Sequence, residues 1–158
     1  MISIMREKIE KVISIISSDL QTLKDNYFVI GSCALILSGV PIEKTSDLDL
    51  LVSDKDAEQL KSVWAYRRRE NYEPSNQNLF RSNFARFDFG ELDVEVMGEL
   101  KVFNSNEWKT LQVKDWIELS VGECKIKVPT LEEQKRILYF LGREKDKLKA
   151  ELIERYLR

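Results

Sequence analysis

Hydrophobic residues are spaced along this chain with two different periods. Through about residues 3–24 they recur at steps of three and four, which predicts an amphipathic helix. Short apolar runs rich in β-branched and aromatic residues predict buried strands at 27–30 and 47–52, with a helix at about 32–38 between them. A further helix is predicted over about 55–69. The first half of the chain is therefore expected to alternate helices and strands.

The second half begins with a predicted antiparallel hairpin, whose strands cover 79–89 and 92–97. The stretch 99–128 has a weaker pattern and is expected to hold loops, a short helix or strand, and an edge strand near its end. A helix follows over about 131–141, and a last helix begins after Gly142. Together these elements predict an α+β (α/β-like) fold, a small mixed β-sheet with helices packed on it.

The length of 158 residues corresponds to about one domain. We expect a single domain over 1–158, with its core at about 27–98 and C-terminal helices at about 131–158. Hydrophobic residues make up 43% of the chain and charged residues 33%, which is ordinary for a globular protein. The net charge of -2 predicts no extended surface for nucleic acid and no attraction to an anionic membrane.

The residue types present limit the chemistry. The chain contains no histidine, which excludes Ser-His-Asp and Cys-His catalysis and histidine metal ligands. Its two cysteines, Cys33 and Cys124, cannot form a four-cysteine zinc site and predict reduced thiols in the cytoplasm. Charged residues at 6–8 interrupt the first apolar residues, so neither a signal peptide nor a membrane span is expected there. Acid–base chemistry is left mainly to carboxylates.

Two aspartates begin the second predicted strand. Asp47 and Asp49 are two residues apart, so their side chains are expected on the same face of the strand. Two adjacent negative charges repel unless a cation or proton lies between them, and a divalent metal is the simplest candidate. The alternative is that both residues lie in an exposed turn, where aspartate is common.

A second acidic pair, Asp93 and Glu95, has the same spacing in a later strand. If the two strands are neighbours, three or four carboxylates meet at one edge of the sheet, a donor set suited to Mg²⁺ or Mn²⁺. The alternative is the solvent face of an ordinary alternating strand.

Gly31-Ser32 lies between a predicted strand and a predicted helix, where backbone N–H groups can bind an anion and glycine permits close approach. The alternative is a simple helix cap. No Rossmann or P-loop glycine motif occurs.

The order Gly31-Ser32, then Ser46-Asp47-Leu48-Asp49-Leu50, then Val94-Glu95-Val96 resembles the nucleotidyltransferase superfamily related to DNA polymerase beta. The similar stretch, 29–98, covers under half of the chain and looks like the small single-domain members. The resemblance implies a pair of divalent metals (Mg²⁺ or Mn²⁺) held by three carboxylates, and a nucleoside triphosphate whose phosphates lie near Gly31 and Ser32. It also implies that the third carboxylate activates an acceptor hydroxyl.

By this resemblance Glu95 takes the third carboxylate position, while Asp93 stands where relatives often have a basic residue. Which of the two completes the site stays open at this point.

Cationic residues elsewhere are candidates for phosphate binding. The run Gly142-Arg143-Glu144-Lys145-Asp146 looks like the tail of small relatives, so Arg143 and Lys145 are expected to approach the triphosphate. Lys44 and the run 67–69 could also guide phosphates. The alternative for these residues is a solvated surface, the usual role of a charge run.

The resulting hypothesis is a metal-dependent enzyme that moves a nucleoside monophosphate from a nucleoside triphosphate to an unknown hydroxyl acceptor. The alternatives are a nucleotide-binding protein without turnover, an interaction protein of toxin–antitoxin type, and a metal-dependent nuclease. Because the chain is short, a homodimer or a partner protein could complete the acceptor site.

Overall fold

The computed structural model describes residues 3–158, and five α-helices and seven β-strands lie within this range. The helices are α1 (Ile4–Leu20), α2 (Gly31–Leu37), α3 (Asp54–Val63), α4 (Leu131–Leu141) and α5 (Glu144–Tyr156). The strands are β1 (Phe28–Ile30), β2 (Asp47–Val52), β3 (Phe80–Asp88), β4 (Asp93–Asn104), β5 (Glu107–Thr110), β6 (Trp116–Val121) and β7 (Cys124–Pro129). No helix in residues 3–158 combines the length and the apolar character required to cross a bilayer.

Five strands of the described chain form one mixed sheet in the order β1-β2-β4-β3, with β5 paired to the far end of β4. Strands β2 and β4 run parallel, whereas β1–β2, β3–β4 and β4–β5 are antiparallel. Strands β6 and β7 form a separate two-stranded hairpin. The expected α+β fold with a small mixed sheet is confirmed.

The sheet has two differently used faces. On one face, alternate residues such as Leu48, Leu50, Val94 and Val96 are fully buried in a core shared with α1 and α3. The opposite face carries the acidic residues of β2 and β4, and beyond them a smaller core that includes Ile137 of α4. One face therefore stabilises the fold, and part of the other is available for chemistry.

Helices α2, α4 and α5 pack together on the acidic side of the molecule. Leu35 of α2, Leu138 of α4 and Ile153 of α5 belong to one buried cluster. Gly142 lies between the two C-terminal helices with a φ of 77°, a left-handed conformation that ends α4. This packing places the start of α5 near α2.

Two sequence predictions have wrong boundaries. The helix expected over 55–69 ends at Val63, because the chain turns through a short 3₁₀ helix and the Arg69 N–H donates to the Arg86 carbonyl at 2.9 Å. The strand expected over 92–97 continues to Asn104, with Glu99 at a φ of 48° where the β3–β4 register shifts. The stretch 99–128 consequently holds much more β-structure than the pattern predicts.

Candidate active site

Three carboxylates converge where β2 and β4 lie side by side. The parallel register pairs Asp47 with Asp93 and Asp49 with Glu95, and the residues between them face the core. Oxygen atoms of Asp47, Asp49 and Glu95 all lie within 4.8 Å of one another, and this is the metal-ligand cluster found among the described residues. The structure thus brings together the three residues that sequence reasoning names as metal ligands.

Two carboxylates of the cluster resist ionisation. Desolvation, and then the charge of Asp47, raise the pKa of Asp49 to about 6. Desolvation, followed by the charges of Asp49 and Asp47, raises the pKa of Glu95 to about 7. A bound cation stabilises the ionised form of carboxylates whose pKa is raised in this way. Carboxylate oxygens are also the donors that Mg²⁺ and Mn²⁺ prefer. The residues present therefore fit a divalent metal.

Asp93 lies beside the cluster but is bound to arginines. Its two carboxylate oxygens accept hydrogen bonds from Arg69 at 2.9 and 3.0 Å, and one of them also accepts from Arg86 at 2.6 Å. Desolvation opposes ionisation of Asp93, but the hydrogen bonds from Arg69 and Arg86 outweigh it and lower the pKa. Asp93 is thus an ion-pair partner, while Glu95 occupies the position next to Asp49.

Arg86 of β3 is a site residue that sequence reasoning missed. It donates to Asp47 at 2.5 Å and its guanidinium lies 3.4 Å from a Glu95 oxygen. The ring of Tyr72 covers it, with 4.7 Å between the guanidinium carbon and the ring centroid. Its signal in the sequence is only its place in the predicted hairpin, where it pairs with Glu95 in the observed register.

Gly31 touches the cluster from the side of β1. Its φ is 72°, and a Cβ atom at this position would lie 2.8 Å from the Asp49 Oδ2 atom. Both facts require glycine. The following helix α2 has only seven residues, so a strong helix dipole is not expected here. The free thiol of Cys33 is buried and donates to the Asp47 carbonyl at 3.1 Å, which ties α2 to β2.

A cavity of about 1300 Å³ opens over the three carboxylates. Its lining includes Gly31, Ser32, Lys44, Arg143 and Lys145, the residues predicted to bind the triphosphate. Asp93 is not among the lining residues. Residues from β3, α4, α5 and the loop before β3 complete the walls. The volume exceeds what three metal ligands alone require, so the cavity has room for a ligand of substrate size.

Solved structures share this architecture. The candidate nucleotidyltransferase TM1012 of Thermotoga maritima aligns over 98% of this chain and 96% of its own, with 23% identity and a TM-score of 0.77. The lincosamide antibiotic adenylyltransferase LnuA, solved with lincomycin bound, aligns over 92% and 96%, with 15% identity and a TM-score of 0.58. An antigenic nucleotidyltransferase-like protein of Paracoccidioides brasiliensis aligns over 93% and 74%, with 17% identity and a TM-score of 0.57.

The chain has a nucleotidyltransferase fold. No protein-family model matches the sequence, and no curated protein matches it either. Structural similarity therefore establishes the fold.

In this nucleotidyltransferase fold, α5 and the residue that caps its N-terminus carry cations that act on Asp49. Arg143 and Lys149 lower the Asp49 pKa in opposition to desolvation. Arg143 is held in place by two hydrogen bonds to buried Asp146, at 2.7 and 2.9 Å. Lys149 is a second residue that sequence reasoning missed, although it lies one helical turn after Lys145. Desolvation lowers the pKa of Lys149, although Asp146 and Asp49 oppose this.

The arginine run 67–69 does not line the cavity of the nucleotidyltransferase fold. The Arg67 guanidinium lies over the ring of Phe89, 4.3 Å from its centroid, and Arg69 binds Asp93. Arg69 therefore supports the site through Asp93, whereas Arg67 packs on Phe89 of the core.

Proposed function

We propose that this chain is a metal-dependent nucleotidyltransferase, which moves a nucleoside monophosphate from a nucleoside triphosphate to a hydroxyl acceptor. The observation that carries the proposal is the cluster of Asp47, Asp49 and Glu95 on adjacent parallel strands, in a cavity whose other side is cationic. The adenylyltransferase LnuA, which shares the fold, supports the same reaction class.

Asp47, Asp49 and Glu95 are the residues proposed to hold Mg²⁺ or Mn²⁺. When bound, such ions lower the pKa of the attacking hydroxyl and neutralise charge on the pyrophosphate. Asp93 is assigned instead to positioning, because Arg69 and Arg86 engage its oxygens. Sequence reasoning left Asp93 and Glu95 as alternatives, and the contacts favour Glu95.

The proposed reaction is an in-line displacement at the α-phosphorus. The acceptor oxygen forms a new bond to that phosphorus, and the bond from phosphorus to the pyrophosphate oxygen breaks. The acceptor's proton passes to an oxygen of Glu95, which the pairing of β2 with β4 places beside the two aspartates. Pyrophosphate leaves with the bonding electron pair, so atoms and charge balance.

Phosphate binding is proposed for the opposite side of the cluster. Gly31 and Ser32 line the cavity at the end of β1, and cationic side chains line it from α5 (Lys145 and Lys149) and from its N-cap (Arg143). Lys44 is exposed and lines the same cavity. Charged side chains and backbone N–H groups are the usual ligands of a triphosphate.

The test is calorimetric binding of each nucleoside triphosphate with Mg²⁺ or Mn²⁺. Wild type is compared with the double variant Asp47→Asn, Asp49→Asn, and with the control variant Glu118→Gln, Glu123→Gln, whose carboxylates are exposed on the β6–β7 hairpin. We expect metal-dependent binding in wild type and control, and its loss in the site variant with the fold intact. Equal binding in all three proteins would refute the metal site.

One observation favours a second candidate, a nucleotide-binding protein without turnover. The Arg86 guanidinium already contacts Asp47 and Glu95 and partly neutralises them. The two candidates differ in pyrophosphate release, which only the transferase shows when an acceptor is supplied. A homodimer, a partner protein and a cytoplasmic location remain predictions that size measurements and co-purification can check.

A further inference from the structure

The order of strands separates two sides of the carboxylate cluster. Gly31 follows β1 on one side, β2 and β4 carry the cluster, and β3 forms the other side. In an in-line displacement the attacking oxygen approaches opposite to the leaving pyrophosphate. If the pyrophosphate lies toward Gly31 and α5, as the proposed function holds, the acceptor approaches from β3.

Two aromatic rings stand on that side. Tyr72, in the loop before β3, stacks on Phe84 of β3 with 5.8 Å between ring centroids and 22° between ring planes. Phe84 faces Met97 in the register that also pairs Arg86 with Glu95. The Tyr72 hydroxyl accepts a hydrogen bond from Arg86 at 3.4 Å. Arg86 therefore connects the Tyr72 ring to the cluster, since its guanidinium also lies 3.4 Å from a Glu95 oxygen, and both rings line the same cavity as Glu95.

Charges on the same wall are mostly positive. Arg81 of β3 and Lys61 of α3 both line the cavity, and the Arg86 guanidinium lies against the Tyr72 ring, 4.7 Å from its centroid. Glu73, which is exposed, is the acidic lining residue next to Tyr72. A wall of this kind does not supply the several carboxylates that a polycationic acceptor would need, whereas it suits a neutral or anionic one.

We propose that the Tyr72–Phe84 pair is the acceptor subsite, and that the acceptor is a hydroxyl compound with a flat ring that is neutral or anionic. The acceptor's ring stacks against the aromatic pair, which is accessible because Tyr72 is 42% exposed. The hydroxyl then reaches the cluster, where it receives the nucleotidyl group, loses its proton to Glu95 and displaces pyrophosphate. This inference rests on the proposed function and specifies its acceptor.

The test uses three probes with the same 4-hydroxyphenyl ring and different ends: 4-hydroxyphenylacetate, tyrosol and tyramine, which are anionic, neutral and cationic. The polycation tobramycin is added as a comparison. Binding is followed by ligand-observed NMR at millimolar concentration, with protein, Mg²⁺ and a non-hydrolysable ATP analogue. We expect the anionic and neutral probes to bind more tightly than tyramine, and tobramycin to show no binding. Preferred binding of tyramine or tobramycin would overturn the charge assignment.

Variants locate the subsite. Tyr72→Ala and Phe84→Ala are each expected to weaken probe binding about tenfold, whereas Tyr72→Phe keeps the stacked ring and most of the binding. The control Phe103→Ala removes an aromatic ring that lies outside the cavity on β4 and is expected to have no effect.

Triphosphate binding, measured separately in every variant, distinguishes the two proposals. Retained triphosphate binding without probe binding would refute the acceptor subsite and leave the proposed function standing. Equal weakening of triphosphate and probe binding by the Tyr72 and Phe84 variants would show that the rings hold the nucleotide base, which also refutes the acceptor subsite. Absence of triphosphate binding in wild type would refute the proposed function and this inference with it.

Discussion

The raised pKa values of Asp49 and Glu95 predict how the stability of the metal-free protein depends on pH. A carboxyl group whose pKa is higher in the folded state binds more protons there than in the unfolded chain. Its contribution to stability is fully present below the unfolded pKa, near 4, and is lost as the pH rises through the folded pKa. For Asp49 and Glu95 the folded values are about 6 and about 7, so stability should fall between about pH 4 and about pH 7.

The size of this loss follows from the two shifts. Asp49 moves from 3.8 to about 6, and one pKa unit corresponds to about 1.4 kcal/mol, which gives about 3 kcal/mol. Glu95 moves from 4.5 to about 7, a shift of similar size. Because repulsion between the two carboxylates contributes to the Glu95 shift, the two values do not add fully. We expect a total of about 4 kcal/mol.

The assay is urea unfolding at a series of pH values in the presence of a chelator. Wild type is compared with Asp49→Asn, Glu95→Gln and with the exposed control Glu118→Gln, Glu123→Gln. The site variant should lose most of the decline between about pH 4 and about pH 7 and be the more stable protein at the alkaline end. A site variant with the same slope as wild type would refute the reasoning. Saturating Mn²⁺ should reverse the trend in wild type, since cation binding favours the ionised carboxylates.

Three further substitutions test separate parts of the structure. Arg86→Gln should lower the unfolding free energy of the metal-free protein by about 2 kcal/mol, since the carboxylates that Arg86 contacts lose their cation. Urea unfolding without and with Mn²⁺ checks this. An equal loss of unfolding free energy under both conditions would contradict the charge argument. Gly31→Ala should weaken Mn²⁺ binding because its Cβ would displace Asp49. The control Gly122→Ala has a similar positive φ but open space around it, so it should lower the unfolding free energy only by the backbone strain of about 1 kcal/mol. Equal Mn²⁺ affinities of Gly31→Ala and wild type in calorimetry would refute the contact argument. Asp56→Ala should lower the unfolding free energy by about 2 kcal/mol, because this fully buried carboxylate accepts two backbone N–H bonds from the loop after α1. The triphosphate affinity of this variant should equal that of wild type. A large change in that affinity would mean that the loop reaches the site.

Local features of the fold were predictable from the sequence. The strand at 47–52 and the helix at 131–141 have the predicted bounds, because an apolar run and a clear helical period define them. The same-face placement of Asp47 and Asp49 also follows from strand geometry alone. These are the features that depend on near neighbours in the chain.

Features that depend on strand pairing were not predictable from periodicity. Parallel pairing of β2 with β4 joins residues more than forty positions apart, and it decides that Glu95 rather than Asp93 lies beside Asp49. Arg86 entered the site through the β3–β4 register. The end of α3 was misplaced because Arg69 pairs with β3 instead of continuing the helix.

The distribution of charge around the cavity has a kinetic consequence. The whole chain carries a net charge of -2, yet Lys44, Arg81 and Lys145 are exposed at the cavity wall. At low ionic strength these side chains should attract a polyanion during its diffusional approach, and salt screens such attraction over about 10 Å. Stopped-flow measurements should therefore show that the association rate of a nucleoside triphosphate falls as salt is added, while its dissociation rate changes little. Capture of a triphosphate would then depend on the ionic strength of the surroundings more than on the protein's overall charge.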